Sequence, residues 1–254
     1  MRSLLLKSCH FLKACYQTLL DLCYPRDCYF CRKPAGDEGH ICQSCLERLS
    51  LHRNPSCIRC GMESTLREGA DFTCSECLRQ SPPIERTFIV ARYENAFRDL
   101  IHTFKYRKGL WLTEDLGRYL LATYLERIQG KGIHIDLLIP VPSQPAKLRK
   151  RGYNQTELLT AYLARHLNLP VHKHDLKRVR TDTLTQTRLR RGERLENAKR
   201  AYRLTRHAHL EGKTVLLVDD VVTTGATCNA CASLLRSAGA KAVYVLALAR
   251  PLNP

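Results

Sequence analysis

The feature that most constrains the fold is the run Val215, Leu216, Leu217, Val218, Asp219, Asp220, Val221, Val222, Thr223, Thr224, Gly225, Ala226, Thr227. Four consecutive aliphatic residues with no polar alternation predict an interior strand of a parallel sheet over residues 214–218. Gly212 and Lys213 break whatever precedes it. Asp219 and Asp220 then fall at the carboxyl end of that strand, where open α/β sheets bind ligands. Paired carboxylates there are acceptors suited to sugar hydroxyls. The following stretch, residues 223–227, offers three hydroxyls, a glycine and short side chains just before a helical segment. Backbone N–H groups and a helix N-terminus can converge there on a phosphate. The bland alternative is a strand ending in two solvated acids before an ordinary helix cap. The full pattern points instead to a site for a phosphorylated ribose.

This segment resembles the phosphoribosyl pyrophosphate (PRPP) motif of type I phosphoribosyltransferases. Upstream, Pro140-Val141-Pro142 and Arg151-Gly152-Tyr153-Asn154-Gln155, with Phe104-Lys105-Tyr106 and with Gln186, Arg194 and Asn197, are similar to the pattern of the ComF/GntX-like competence family. The resemblance covers nearly the whole chain. It implies a parallel-sheet α/β domain of phosphoribosyltransferase type preceded by a small double zinc ribbon. It also implies that Asp219, Asp220, Val221, Thr223, Thr224, Gly225, Ala226 and Thr227 hold PRPP, with Arg151 and Asn154 near the ligand. Lys105 is a further candidate for phosphate contact. One departure is Ala226, where many such enzymes carry a second glycine; alanine keeps the position small.

The cysteines support the second part of that expectation independently. Of 13 in the chain, eight form four pairs, Cys28/Cys31, Cys42/Cys45, Cys57/Cys60 and Cys74/Cys77. Each C-x-x-C knuckle can place two thiolates on adjacent vertices around zinc, so the eight suit two closed, structural sites. Sequential pairing closes the shortest loops; interleaved pairing, iron–sulfur ligation and disulfides are the alternatives. The span 25–80 has few large apolar side chains, so metal would supply much of its folding free energy. With no cleavable signal peptide evident, this cysteine usage fits a reducing cytoplasm. Cys228 and Cys231 form a fifth such pair but lie in the helix after the phosphate loop, where core packing is the simpler reading.

These signals divide the chain into an amphipathic N-terminal helix (1–24), the double ribbon (25–80) and the transferase-like domain (81–254). The first 24 residues are too polar to span a bilayer, so a helix packed on its own protein is expected. The chain carries 41 basic and 24 acidic residues, a net charge of +17. Residues 146–213 alone hold 18 basic against 6 acidic. A pyrophosphate site would use part of that excess, which makes a polyanion such as single-stranded DNA a candidate partner, with Arg188, Arg190 and Arg191 as contacts. A merely solvated basic face is the alternative.

Alternating patterns beyond Ser81-Pro82-Pro83 predict strands at 87–93, 135–141 and 243–249 and helices at 97–105, 112–128 and 157–167. Residues 140–155 read as a loop reaching the pyrophosphate, and residues 181–197 as a flap over the site. A transferase would use magnesium with PRPP. Three functions follow: a competence protein handling incoming single-stranded DNA in the cytoplasm, an active phosphoribosyltransferase whose acceptor the sequence does not identify, or a zinc-ribbon scaffold for uptake or recombination proteins. An ammonia-transferring purine enzyme is not expected, since the chain opens on Met-Arg rather than a nucleophilic cysteine.

Overall fold

The computed structural model describes residues 26–35, 39–49, 51–52, 55–64, 69–179, 201–205 and 208–252. They fall into two compact units, Met1–Leu49 and Ser50–Pro254. The expected N-terminal helix, the flap 181–197 and Arg188, Arg190 and Arg191 lie outside the described residues, as do Gln186, Arg194 and Asn197.

In the first unit, a tight turn closes when Arg32 N–H donates to the Cys28 carbonyl (2.9 Å), with Arg32 in a left-handed conformation (φ 61°). The amide of Tyr29 donates to His40 O at 2.8 Å and brings the second knuckle alongside. That knuckle runs from Cys42 into the single-turn helix α1 (Gln43–Leu46). Ile41, Ala35 and Leu49 are the buried non-cysteine hydrophobics here.

The second unit opens with the other two knuckles. Gly61 N–H donates to Cys57 O (2.8 Å), and Gly61 has φ +72°, which glycine adopts without strain. Cys74 precedes the short helix α2 (Ser75–Gln80). The chain then enters β1 (Arg86–Arg92), α3 (Asn95–Tyr106), α4 (Thr113–Arg127) and β2 (Leu137–Pro140). Two helices, α5 (Pro145–Arg151) and α6 (Gln155–Leu167), precede a short antiparallel pair, β3 (Leu176–Arg178) with β4 (Tyr202–Leu204). The unit ends with β5 (Thr214–Val221), α7 (Ala226–Ser237) and β6 (Ala242–Arg250).

The main sheet is all parallel in the order β1-β6-β5-β2. Its two central strands hold the aliphatic runs Val215–Val218 and Val245–Ala249, all fully buried, as burial on both faces requires. The outer edge of β1 is covered by the ribbon: Thr87 N–H donates to Ile58 O (2.8 Å), the Thr87 hydroxyl to Arg59 O (2.7 Å), and His52 N–H to Val90 O (2.8 Å). Beyond β2, Leu138 bonds to residues 170 and 172 and extends the sheet at its other side.

Two expectations change. The central strand runs to Val221 rather than stopping at Val218, because Asp219 and Val221 continue the ladder opposite Ala247 and Ala249. The segment 140–155 is not all loop: Pro145 at the first turn and Gly152 at the left-handed C-cap (φ 84°) delimit α5.

Candidate functional site

At the carboxyl ends of β5 and β2 lies a cleft of about 170 Å³. Lys105 from α3, Lys147 and Arg151 from α5, Arg178 from β3, and Asp219, Asp220 and Val221 from β5 line it, with Thr227 from the first turn of α7. Residues far apart in sequence thus meet where strand direction predicts a ligand.

The two acids differ. Asp219 is buried, 8% exposed, with one carboxylate oxygen accepting the Asp220 N–H (2.8 Å) and the other facing the Cys228 thiol (3.5 Å). Burial, reinforced by the neighbouring Asp220 carboxylate, pushes its pKa up to about 7. Asp220 is more open and forms an ion pair with Lys105 (2.8 Å). Reading both acids as a solvated strand end is therefore corrected for Asp219, which the longer β5 carries into the interior. The fifth cysteine pair has its explanation here too: Cys228 and Cys231 are buried in α7 against the sheet, and Cys228 supports Asp219.

The phosphate loop follows as an abrupt turn. Gly225 takes φ 78° at the N-cap of α7, a backbone conformation open to glycine, and the Thr224 hydroxyl lies 3.4 Å from the Ala226 amide. Thr223 is exposed; Thr224 and Ala226 also line a groove on the loop's far side, shared with Cys60, Cys74 and Cys77 of the ribbon.

Behind the cleft a latch joins α3 to the segment after α5. The Arg151 guanidinium stacks 4.5 Å from the Tyr106 ring and donates to Gln155 (3.1 Å), while the Tyr153 hydroxyl donates to Phe104 O (2.5 Å). Asn154 stands behind the lining: it accepts from Ser143 (2.6 Å) and Thr156 (2.9 Å) and donates to Glu157 (3.0 Å). It fixes the start of α6 rather than facing the cavity.

Sequence reasoning missed Lys147, Arg178 and Tyr202. The first was recoverable from the Pro-to-Gly frame of α5. The other two come from three-residue strands too short for any periodic signal; the Arg178 guanidinium lies over the Tyr202 ring (5.2 Å) and bonds its hydroxyl (3.0 Å).

The cysteines cluster as Cys28, Cys31, Cys42 and Cys45, and as Cys57, Cys60, Cys74 and Cys77, each set with its sulfur atoms within 4.8 Å of one another. Cys31 and Cys42 approach to 3.6 Å and Cys60 and Cys74 to 3.9 Å. Tetrahedral zinc with sulfur ligands at about 2.3 Å requires about 3.8 Å between sulfurs, so both sets fit that ion. Without a shared cation, four such thiols cannot all ionise: hydrogen bonding from Cys60 and Cys77 pulls Cys57 down, whereas Cys57 and Cys60 push Cys77 up. The sequential grouping is the one the fold contains.

Comparison with known proteins matches residues 19–78 to a double zinc ribbon domain and residues 157–252 to a phosphoribosyl transferase domain. The DNA utilization protein YhgH of Escherichia coli (strain K12) is 34% identical over 234 residues, 91% of this chain and all of the relative. Competence protein F of Haemophilus influenzae is 34% identical over 215 residues, 83% of this chain and 90% of the relative. The chain belongs to the ComF-like competence family. Its eight clustered cysteines all fall within the double-ribbon match, and β5 with its acids and loop falls within the transferase match. A purine phosphoribosyltransferase from Pyrococcus horikoshii Ot3 superposes on this ComF-like chain at a TM-score of 0.35, with 16% identity over 56% of this chain and 85% of that one, and carries no weight here. Among the described residues no helix is long and apolar enough to cross a membrane.

Proposed function

We propose that this ComF-like protein serves natural transformation in the cytoplasm, handling incoming single-stranded DNA, and that its transferase-like domain binds PRPP. The observation that carries the ligand assignment is the single cleft in which Asp219 and Asp220, the 223–227 loop and four cations meet. Its relatives' names, a competence protein and a DNA utilization protein, support the cellular role.

In this reading Asp220 and Asp219 accept hydrogen bonds from the ribose hydroxyls. The amides of residues 223–227 and the N-terminus of α7 hold the 5′-phosphate. Lys105 exchanges Asp220 for a pyrophosphate oxygen, and Lys147 and Arg151 complete the anion clamp. Magnesium, when it enters with PRPP, neutralises pyrophosphate charge beside these carboxylates. The basic face that includes Arg188, Arg190 and Arg191 is assigned to DNA.

A second reading, active phosphoribosyl transfer, is favoured by Arg178 and Tyr202: a planar, hydrogen-bonding pair beside Asp219 offers a platform for an acceptor ring.

Calorimetric titration with PRPP and magnesium, with and without single-stranded DNA, tests the assignment. The expected result is saturable binding that is lost in Asp219→Asn/Asp220→Asn while circular dichroism is unchanged. Equal affinity in the double variant would remove the acids from the site. Charge removal at Arg188, Arg190 and Arg191 should weaken DNA binding and flatten its salt dependence; an unaltered salt slope would leave that stretch as a solvated surface.

A further inference from the structure

A second cavity, of about 810 Å³, shares no lining residue with the ribose-phosphate cleft. One wall is α4, which presents Tyr119, Thr123 and Arg127 to it from one face, with Lys131 just beyond the helix. The other wall is built from Leu51, His52, Pro55 and Asp71, and β1 supplies Ile89.

Three observations point to a missing ligand. His52 is 8% exposed, yet neither ring nitrogen makes a hydrogen bond, and the Tyr119 hydroxyl is likewise buried and unpartnered. Buried polar atoms are rarely left so unless water or a ligand completes them. The cations are also underneutralised. Asp71 is committed to Arg86 and Glu63 to Arg92, which it holds through two hydrogen bonds (2.6 and 3.2 Å). Arg127 spends one N–H on Ile89 O (3.0 Å) and faces Glu126 only at the exposed rim; Lys131 has no carboxylate partner within ion-pair distance. Arg86 and Arg127 both pull the Lys131 ammonium below its ordinary value, which is the mark of cations sharing a space. Finally, Tyr119 and Arg127 are eight helical residues apart, or about 12 Å. That matches the long axis of a nucleotide, and the volume is within the range of small-molecule sites.

We propose that this cavity binds a nucleoside monophosphate, with its phosphate between Arg127, Lys131 and a neutral His52, and its ring between Leu51, Pro55 and Ile89 with the Tyr119 hydroxyl at its polar edge. Burial holds His52 below its ordinary value, so at neutral pH it offers one N–H donor and no charge to the phosphate. The site does not depend on the PRPP reading.

The test uses the zinc-loaded full chain and follows the His52 ring resonances by NMR during titration with AMP, adenosine and inorganic phosphate. The His52 signal is assigned with His52→Gln. AMP should shift it saturably and more tightly than inorganic phosphate, and adenosine should not. Lys131→Gln, at an exposed position where misfolding is not expected, should weaken AMP about tenfold, the loss expected for one charge-assisted hydrogen bond. Thr224→Val, in the phosphate loop, should leave the His52 response unchanged. The proposal is overturned if AMP fails to move His52, if adenosine or inorganic phosphate matches AMP, or if Lys131→Gln binds as the parent does.

Discussion

The two cysteine tetrads have the same ligands at similar spacing and sit in different mechanical surroundings. Cys28, Cys31, Cys42 and Cys45 are enclosed by a few small apolar residues and their own turns. Cys57, Cys60, Cys74 and Cys77 are built onto the sheet: Ile58 and Arg59 bond to Thr87, Glu63 grips Arg92, and Gly61 presses against Ile89. One tetrad therefore organises mainly itself. The other is a wall of the larger unit and flanks the groove behind the phosphate loop. A metal-ligand motif alone does not say whether metal stabilises a module or a whole domain; the residues between the ligands decide it.

The largest expected effect breaks this comparison directly. Cys77→Ser should cost the larger unit several kcal/mol, since it removes a ligand from a closed site whose binding is folding free energy, and should weaken PRPP binding. Cys28→Ser should release one zinc per chain and leave the main thermal transition within a degree or two. Calorimetric melting with zinc quantification separates them, and equal destabilisation would erase the distinction.

Asp219 supplies a reporter for the same transition. Its folded pKa, about 7, lies above the ordinary carboxyl value of about 3.9, so the native state holds this proton more tightly than the unfolded chain. Stability from this group is complete below about pH 4 and is lost as pH rises towards 7. Urea unfolding at pH 5 and pH 8 should show that loss, Asp219→Asn should abolish it, and the pH-sensitive transition should be the one Cys77→Ser lowers.

Smaller effects sharpen the seam itself. Glu63→Gln leaves Arg92 without its buried carboxylate and should cost about 2 kcal/mol. Gly61→Ala puts a methyl group 2.7 Å from Ile89 Cγ1 on a backbone at φ +72°, for about 1–2 kcal/mol. Denaturant midpoints measure both; no change in either would mean the ribbon merely lies beside β1.

Much of this was legible in the sequence for physical reasons. An aliphatic run ending in paired acids has few uses outside a parallel sheet, and four C-x-x-C pairs dictate their metal chemistry. Illegible were the features set by tertiary neighbours. Asp219 and Asp220 look alike in sequence, and only Cys228 beneath one and Lys105 beside the other make them different groups. Asn154 has a ligand-like side chain but spends it on Ser143, Thr156 and Glu157. Arg178 and Tyr202 arrive from strands of three residues, where no period can be read.

The hydrogen bonds that the ribbon makes to Thr87 have one more consequence. Strand β1 borders the sheet, and a bare border strand invites pairing with another chain. Ile58, Arg59 and His52 occupy its bonding groups, so the cysteine knuckle works as a selvedge that stops the sheet from extending. Chelation would then fray this hem, and the first symptom of zinc starvation would be turbidity, ahead of any loss of ligand affinity.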